Sequence, residues 1–74
     1  DYVPVYPQVM RLSDRDINTI KGIADNGLKS GNMLMLENAA ARVKKVLAIE
    51  DEMPAHDFLN TLLKDYNFLS TKAS

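Results

Sequence analysis

The chain has 74 residues, enough for one small domain, and carries nine basic against ten acidic side chains, a net charge of −1. It has no cysteine, which excludes a disulfide framework, a thiolate metal site and a cysteine nucleophile. The balanced charge argues against a dedicated nucleic-acid binder and against a polybasic membrane anchor.

No membrane-spanning helix is predicted, because the longest uninterrupted apolar run extends only from Met33 to Leu36, whereas a spanning helix needs roughly 20 residues. The start of the chain has neither the charged head nor the apolar stretch of a signal peptide. The chain does not begin with Met. Asp1 therefore follows a removed segment, or the chain is excised from something longer, and the sequence leaves both alternatives open.

Residues 1–12 are predicted to form an extended arm. Its prolines fix their own φ at about −65° and favour extended backbone at the preceding residue. The arm is rich in apolar side chains, which predicts that it lies across another surface. That surface is either the domain's own helices or a partner chain, and the pattern does not decide between them. The candidate partner-binding residues are Tyr2, Val3, Val5, Tyr6 and Met10.

The first helix is predicted over residues 14–26. Ser13 precedes it and an acid follows three residues later, which is close to a capping box. Asn26 and Gly27 both tolerate the left-handed conformation that closes a helix, so they are predicted to end it. Residues 27–31 then form a connector to the next helix.

The second and third helices are predicted over residues 32–48 and 54–66, because apolar residues recur there every three or four positions. Residues 70–74 are predicted to be a polar, frayed tail. Three amphipathic helices with short links predict an all-α fold, a small antiparallel three-helix bundle spanning residues 13–69 behind the extended arm. The predicted core consists of Ile17, Ile20, Ala24, Leu36, Ala40, Val43, Leu47, Phe58, Leu59, Leu62 and Tyr66.

The residue pattern predicts no catalytic, cofactor or metal site. His56 lies beside Asp57 near the start of the third predicted helix, and no neighbouring residue is a candidate nucleophile for it. The acids at 50–52 lack the alternating ligands and turn glycine of a calcium loop. The glycines match no phosphate-binding motif. We therefore expect a protein that is not an enzyme and takes no small-molecule substrate.

Arg42, Lys44 and Lys45 form a small basic group on the second predicted helix and are the candidate nucleic-acid contacts. Two short helices joined near a glycine are compatible with a helix-turn-helix. However, the second helix is rich in Met and Ala, where a recognition helix would carry Arg, Asn, Gln or Ser. The competing interpretation is a solvated face balanced by nearby acids.

The segment Gly-Asn-Met-Leu-Met-Leu-Glu-Asn at residues 31–38, followed by Arg42, resembles the lid helix of AAA+ ATPases. In that family a Gly-Asn pair opens the helix and Leu-Glu-Asn follows, with an arginine four residues on. The resemblance implies a detached lid subdomain. The family's nucleotide-sensing arginine would fall at Leu34, so such a lid would not contact ATP through that position.

Met33 and Met35 lie about 200° apart on a helix, so they cannot both face one core, and one of them is predicted at a rim or a second surface. An exposed Met suits an adaptable docking face. The sequence thus favours a non-catalytic protein–protein interaction module or small structural subunit, with another protein chain as partner. The alternative is a nucleic-acid-associated helical module, either helix-turn-helix-like or a detached AAA+ lid.

Overall fold

The computed structural model describes residues 2–73, with side chains to residue 71. Over this range the protein is all-α and has no strand. A 3-10 turn, Pro7–Arg11, precedes three α-helices: α1 (Asp14–Ser30), α2 (Met33–Leu47) and α3 (Ala55–Ala73). The helices pack as a small bundle behind an N-terminal arm, which confirms the predicted fold class.

The start of α1 follows from its capping box. The Ser13 hydroxyl accepts the Asp16 amide at 3.1 Å, and the Asp16 carboxylate accepts the Ser13 amide at 3.2 Å. The predicted end of this helix is wrong, because α1 continues to Ser30 and the left-handed cap is Gly31, with φ of 67°. The link to α2 is therefore two residues long, and the predicted connector over residues 27–31 is mostly helix.

Gly27 has a packing role inside α1 instead of a terminating one. It is buried, and a Cβ added there would lie 2.6 Å from Cδ2 of Leu36 on α2. The missing side chain lets Leu36 pack directly against the α1 backbone. Glycine is favoured both where the backbone is left-handed and where another residue packs close to the backbone. At Gly27 the close packing of Leu36 is the reason.

The ends of α2 agree closely with the predicted bounds. The Asn32 side chain accepts a backbone amide of the first turn at 3.1 Å. At the other end Ala48 takes the left-handed conformation, with φ of 56°, and the Ile49 amide bonds back to the carbonyl of Lys44 at 2.8 Å. This closure turns Ile49 into the core, where it is buried.

Helix α3 begins where the proline predicted it, since the Pro54 carbonyl accepts the Phe58 amide at 2.8 Å. It runs to Ala73, well past the predicted end at residue 66 and through most of the predicted frayed tail. The apolar face continues beyond Asn67, because Leu69 packs against the core and Phe68 lies edge-on to an arm tyrosine. These contacts extend the helix.

The core lies where the three amphipathic stripes meet. Ten of the eleven predicted core residues are buried, and Tyr66 is half-buried. The prediction omitted three residues outside the main helices, namely Tyr6 and Val9 of the arm and Ile49 of the α2–α3 link.

The arm packs against its own bundle. Val9 is fully buried and Tyr6 is 3% exposed. The 3-10 turn contacts mainly α3 and also α2. The arm is consequently not extended throughout, because its second half coils into the 3-10 turn to fit the helices. The sequence left two alternatives for the arm, the domain's own helices or a partner chain, and the structure places it on the domain's own helices.

Candidate functional site

An open apolar groove runs between α1 and α2. Two adjoining cavities of about 230 Å³ and about 630 Å³ form it, and both are lined by Ile23, Ala39 and Arg42. The helices are joined by two residues, so they lie side by side as an antiparallel hairpin along the groove. The remaining lining residues are Leu12, Asp16, Thr19, Ile20, Val43 and Val46 at one end, and Asn32, Leu34, Met35 and Asn38 at the other.

The groove has a closely packed floor and apolar rims. Ile20 and Val43 are buried in the floor, and Ala39 is half-buried there. Val46 is 64% exposed and Leu34 is 65% exposed, although both are large and apolar. Solitary exposed apolar residues are ordinary, but two large ones on the rims of one groove mark it as a candidate interaction surface.

The arm leaves this groove uncovered. It lies on the α2–α3 side of the bundle, and of its residues only Leu12, at the arm's end, lines a groove cavity. Helix α3 fills the opposite side of the α1–α2 pair. The groove is thus the side of α1 and α2 that neither the arm nor α3 covers within the described residues.

The groove carries positive charge near its middle. Arg42 is exposed, lines both cavities and forms no ion pair within residues 2–71. Lys45 lies three residues further on, on the same side of α2. Asp16 is the acid that lines the groove, and its carboxylate already caps α1 through the Ser13 amide.

The arm tyrosines predicted to bind a partner are held by the bundle. Tyr2 donates its hydroxyl to Asp65, and its ring lies edge-on to Phe68 with 5.3 Å between centroids. Tyr6 donates its hydroxyl to Asp51, and its ring meets Phe58 at 5.0 Å. Both aromatic side chains therefore stabilise the fold itself.

The other predicted arm residues remain at the surface. Val3 is 76% exposed, Val5 is 53% exposed and Met10 is 43% exposed. The backbone of Val5 is nevertheless fixed, since its amide donates to Asp65 at 3.0 Å. These three side chains give the arm an apolar outer edge, separate from the groove.

The predicted basic group divides between two sides of α2. Lys44 is half-buried and faces α3, where its ammonium donates to the Asp51 carbonyl at 3.1 Å and lies 4.9 Å from the Phe58 ring centroid. It also pairs with the Asp51 carboxylate at 3.6 Å. Lys44 thus joins α2 to the link and α3, whereas Arg42 and Lys45 remain exposed.

Each of the chain's three tyrosines donates its hydroxyl to an aspartate far away in the sequence. The bond to Asp65 raises the pKa of Tyr2, and burial followed by the bond to Asp51 raises the pKa of Tyr6. The bond from Tyr6 in turn lowers the pKa of Asp51. The first two pairs hold the arm to α3 and to the α2–α3 link, and the third joins α3 to the start of α1. None of these tyrosines and aspartates lines either groove cavity.

The structure adds two features that the sequence reasoning missed. Asp65 is a fully buried carboxylate on α3. Its signal was its position three residues after Leu62, on the apolar side of the helix. The groove also had a signal, since Met35, Ala39, Arg42 and Val46 form a second stripe at helical spacing beside the core stripe of α2.

Within residues 2–73, no cluster of three or more His, Asp or Glu side chains is arranged to hold a metal ion. In the same part of the chain, no helix combines the length and apolarity needed to cross a bilayer. Leu34, the position at which the AAA+ resemblance places the nucleotide-sensing arginine, is exposed on the rim of the groove.

Comparison with known proteins gives a family and no functional assignment. No curated protein and no solved structure matches the chain significantly. A family model described as a domain of unknown function, DUF8484, matches residues 1–74. The model covers the whole sequence, and the chain therefore belongs to the DUF8484 family.

Proposed function

We propose that this domain is a non-catalytic protein–protein interaction module that receives one amphipathic α-helix of another protein in the α1–α2 groove. The observation that carries the proposal is the groove's apolar floor between two adjacent helices, with large apolar side chains exposed on its rims at both ends. Burying this apolar surface against a partner would contribute about 25 cal/mol of favourable free energy per Å², before the costs of association are subtracted.

A helix fits the shape of the groove. Two antiparallel helices leave a furrow along their contact, and a third helix packs into such a furrow with interaxial distances of about 8–10 Å. The small side chain of Ala39 leaves space above the groove floor, so a partner backbone can approach closely. Met35 on the rim is flexible and suits different apolar neighbours.

The groove is a better binding surface than the arm. Tyr2 and Tyr6 would be the strongest anchors of the arm, yet both already form internal hydrogen bonds and ring contacts. Releasing them would leave Asp65 buried without its donors. Binding through the groove requires no such rearrangement.

The test uses a displayed library of amphipathic helical peptides, selected on the 74-residue chain. Peptides enriched on the domain should gain helicity on binding and should lose affinity when Ala39→Glu places a carboxylate in the groove floor. Ala41→Glu is the matched control, because Ala41 is exposed on the same helix and lines neither cavity. Thermal melts of both variants establish that each is folded.

Two results would contradict the proposal. One is a selection that enriches no helical peptide above an unrelated control protein. The other is a set of binders that Ala39→Glu and Ala41→Glu weaken equally, because binding would then take place away from the groove.

A further inference from the structure

The guanidinium of Arg42 differs from the ammonium groups of Lys29 and Lys44 in having no carboxylate partner within residues 2–71. Lys29 pairs with Asp25 at 3.2 Å, and Lys44 pairs with Asp51 at 3.6 Å. Arg42 has no carboxylate in ion-pair contact within residues 2–71, although it lines both cavities of the apolar groove. Lys45 adds a second positive charge nearby on the same side of α2.

Any helix that fills the groove would take water away from Arg42. Removing the hydration of an unpaired charge is unfavourable, and a carboxylate in good geometry offsets much of that cost. The groove does not supply the carboxylate itself. Asp16 lies toward one end and already accepts the Ser13 amide, and the other polar groups in the half nearest the α1–α2 link are the neutral amides of Asn32 and Asn38.

We infer that the helix received by the groove carries an Asp or Glu within its apolar face, placed so that it pairs with Arg42. The inference rests on the proposed function, since it specifies the chemistry of the same occupant. Arginine binds a carboxylate through two parallel N–H···O bonds. The pair would therefore select a partner helix with an acid at that position and would also fix the register of that helix in the groove. Lys45 would favour a further acid on the solvent side of that helix.

A second copy of this chain is a weaker match to the same requirement. The acid on α2 is Glu37, which lines neither cavity, and the acid that lines the groove is the Asp16 already used in capping. A dimer that joined the two grooves would therefore bring Arg42 toward a lining whose carboxylate, that of Asp16, already accepts the Ser13 amide.

The experiment uses the same peptide library with one position of its apolar face fully randomised. Selection on the unmodified domain should enrich Asp and Glu at that position, selection on Arg42→Glu should enrich Lys and Arg, and Arg42→Gln should show no charge preference. An acidic binder should lose at least about tenfold in affinity on Arg42→Glu, the loss expected when one close charge pair is reversed. Lys21→Glu is the matched control, because it makes the same charge change at an exposed position outside both cavities.

The outcomes separate the two proposals. Groove binders whose randomised position has no acid preference, or an acid preference that survives Arg42→Glu, would overturn the acidic-helix inference and leave groove binding intact. A library that yields no groove binder would overturn both. A concentration-dependent dimer in analytical ultracentrifugation that Arg42→Glu dissociates would identify a second copy as the occupant and overturn the inference.

Discussion

The Asp65 carboxylate accepts the backbone amide of Tyr6 at 2.6 Å, across 59 residues of sequence. It also accepts the Val5 amide at 3.0 Å and the Tyr2 hydroxyl. Asp65 is fully buried, and the donors of all three bonds come from the arm. One α3 side chain therefore fixes the path of the N-terminal segment, and the arm in turn satisfies a carboxylate that would otherwise be buried at high cost.

Asp65→Asn should lower the free energy of unfolding by about 2–4 kcal/mol. Both backbone amides donate to the same carboxylate oxygen, which the asparagine carbonyl can replace, but the asparagine NH2 group then takes the place of the oxygen that accepts the Tyr2 hydroxyl. All three bonds also lose their charged acceptor, and a hydrogen bond to a charged group contributes roughly 1.5–3 kcal/mol. Urea denaturation measures the change. Asp25→Asn is the control, since it removes an exposed ion pair with Lys29 and should cost no more than about 0.5 kcal/mol. Equal costs would mean that Asp65 does not hold the arm.

Deletion of residues 1–8 should leave a helical chain with a lower melting temperature. The deletion removes the buried side chain of Tyr6, which contributes about 1.5–3 kcal/mol through burial. In a domain of this size each kcal/mol corresponds to roughly 4–8 °C, so we expect a decrease of about 10 °C. Circular dichroism measures both properties. An unchanged melting temperature together with lost affinity for a partner would instead return the docking role to the arm.

Apolar spacing and capping residues predicted most of the fold. Ser13 and Pro54 mark where α1 and α3 begin, and the core stripe of α2 is phased correctly from Leu36 to Leu47. These features are local, because a cap or a periodic stripe depends on residues within a few turns of one another. The chain's fold class follows from them.

The features that sequence reasoning missed depend on tertiary contacts. A buried Asp65 is stable only because arm residues about 60 positions away donate to it. Glycine after asparagine is typical of a helix end, but Gly27 lies inside α1, where its role depends on the close approach of Leu36 from α2. The groove likewise depends on which side of the bundle the arm covers, which no periodicity in the arm indicates.

Tyrosine ionisation should begin only at strongly alkaline pH and should destabilise the fold. The pKa values of Tyr2, Tyr6 and Tyr66 are all raised in the folded chain. A raised pKa stabilises the fold fully below the unfolded value of about 10 and loses that contribution as the pH rises through the folded pKa. In a pH titration, the ultraviolet absorbance of tyrosinate should therefore increase at higher pH in the native protein than in the urea-unfolded chain. Superimposable titration curves would contradict the three tyrosine–aspartate bonds.

Substitutions along α2 should rank by what each side chain contacts. Val43→Asp places a charge in the core, where Val43 is 8% exposed, and should cost several kcal/mol. Lys44→Asp should cost less, but more than a surface change, because it puts a second acid beside Asp51. Lys45→Asp should stay within about 0.5 kcal/mol. Chemical denaturation of the three variants gives the order, and equal damage from Val43→Asp and Lys45→Asp would mean that α2 is phased differently.

The two glycines inside α1 should respond in opposite directions to alanine. At Gly22 an added Cβ meets nothing within 4 Å, so Gly22→Ala should stabilise the domain by about 0.5–1 kcal/mol through helix propensity. At Gly27 the added Cβ would lie 2.6 Å from Cδ2 and 2.8 Å from Cγ of Leu36, and the core must shift to admit it. Such overpacking costs typically about 1–3 kcal/mol, which exceeds or cancels the propensity gain, so Gly27→Ala should be neutral to destabilising. Paired thermal melts measure the difference. Equal stabilisation by both substitutions would show that Leu36 does not pack against the α1 backbone at Gly27.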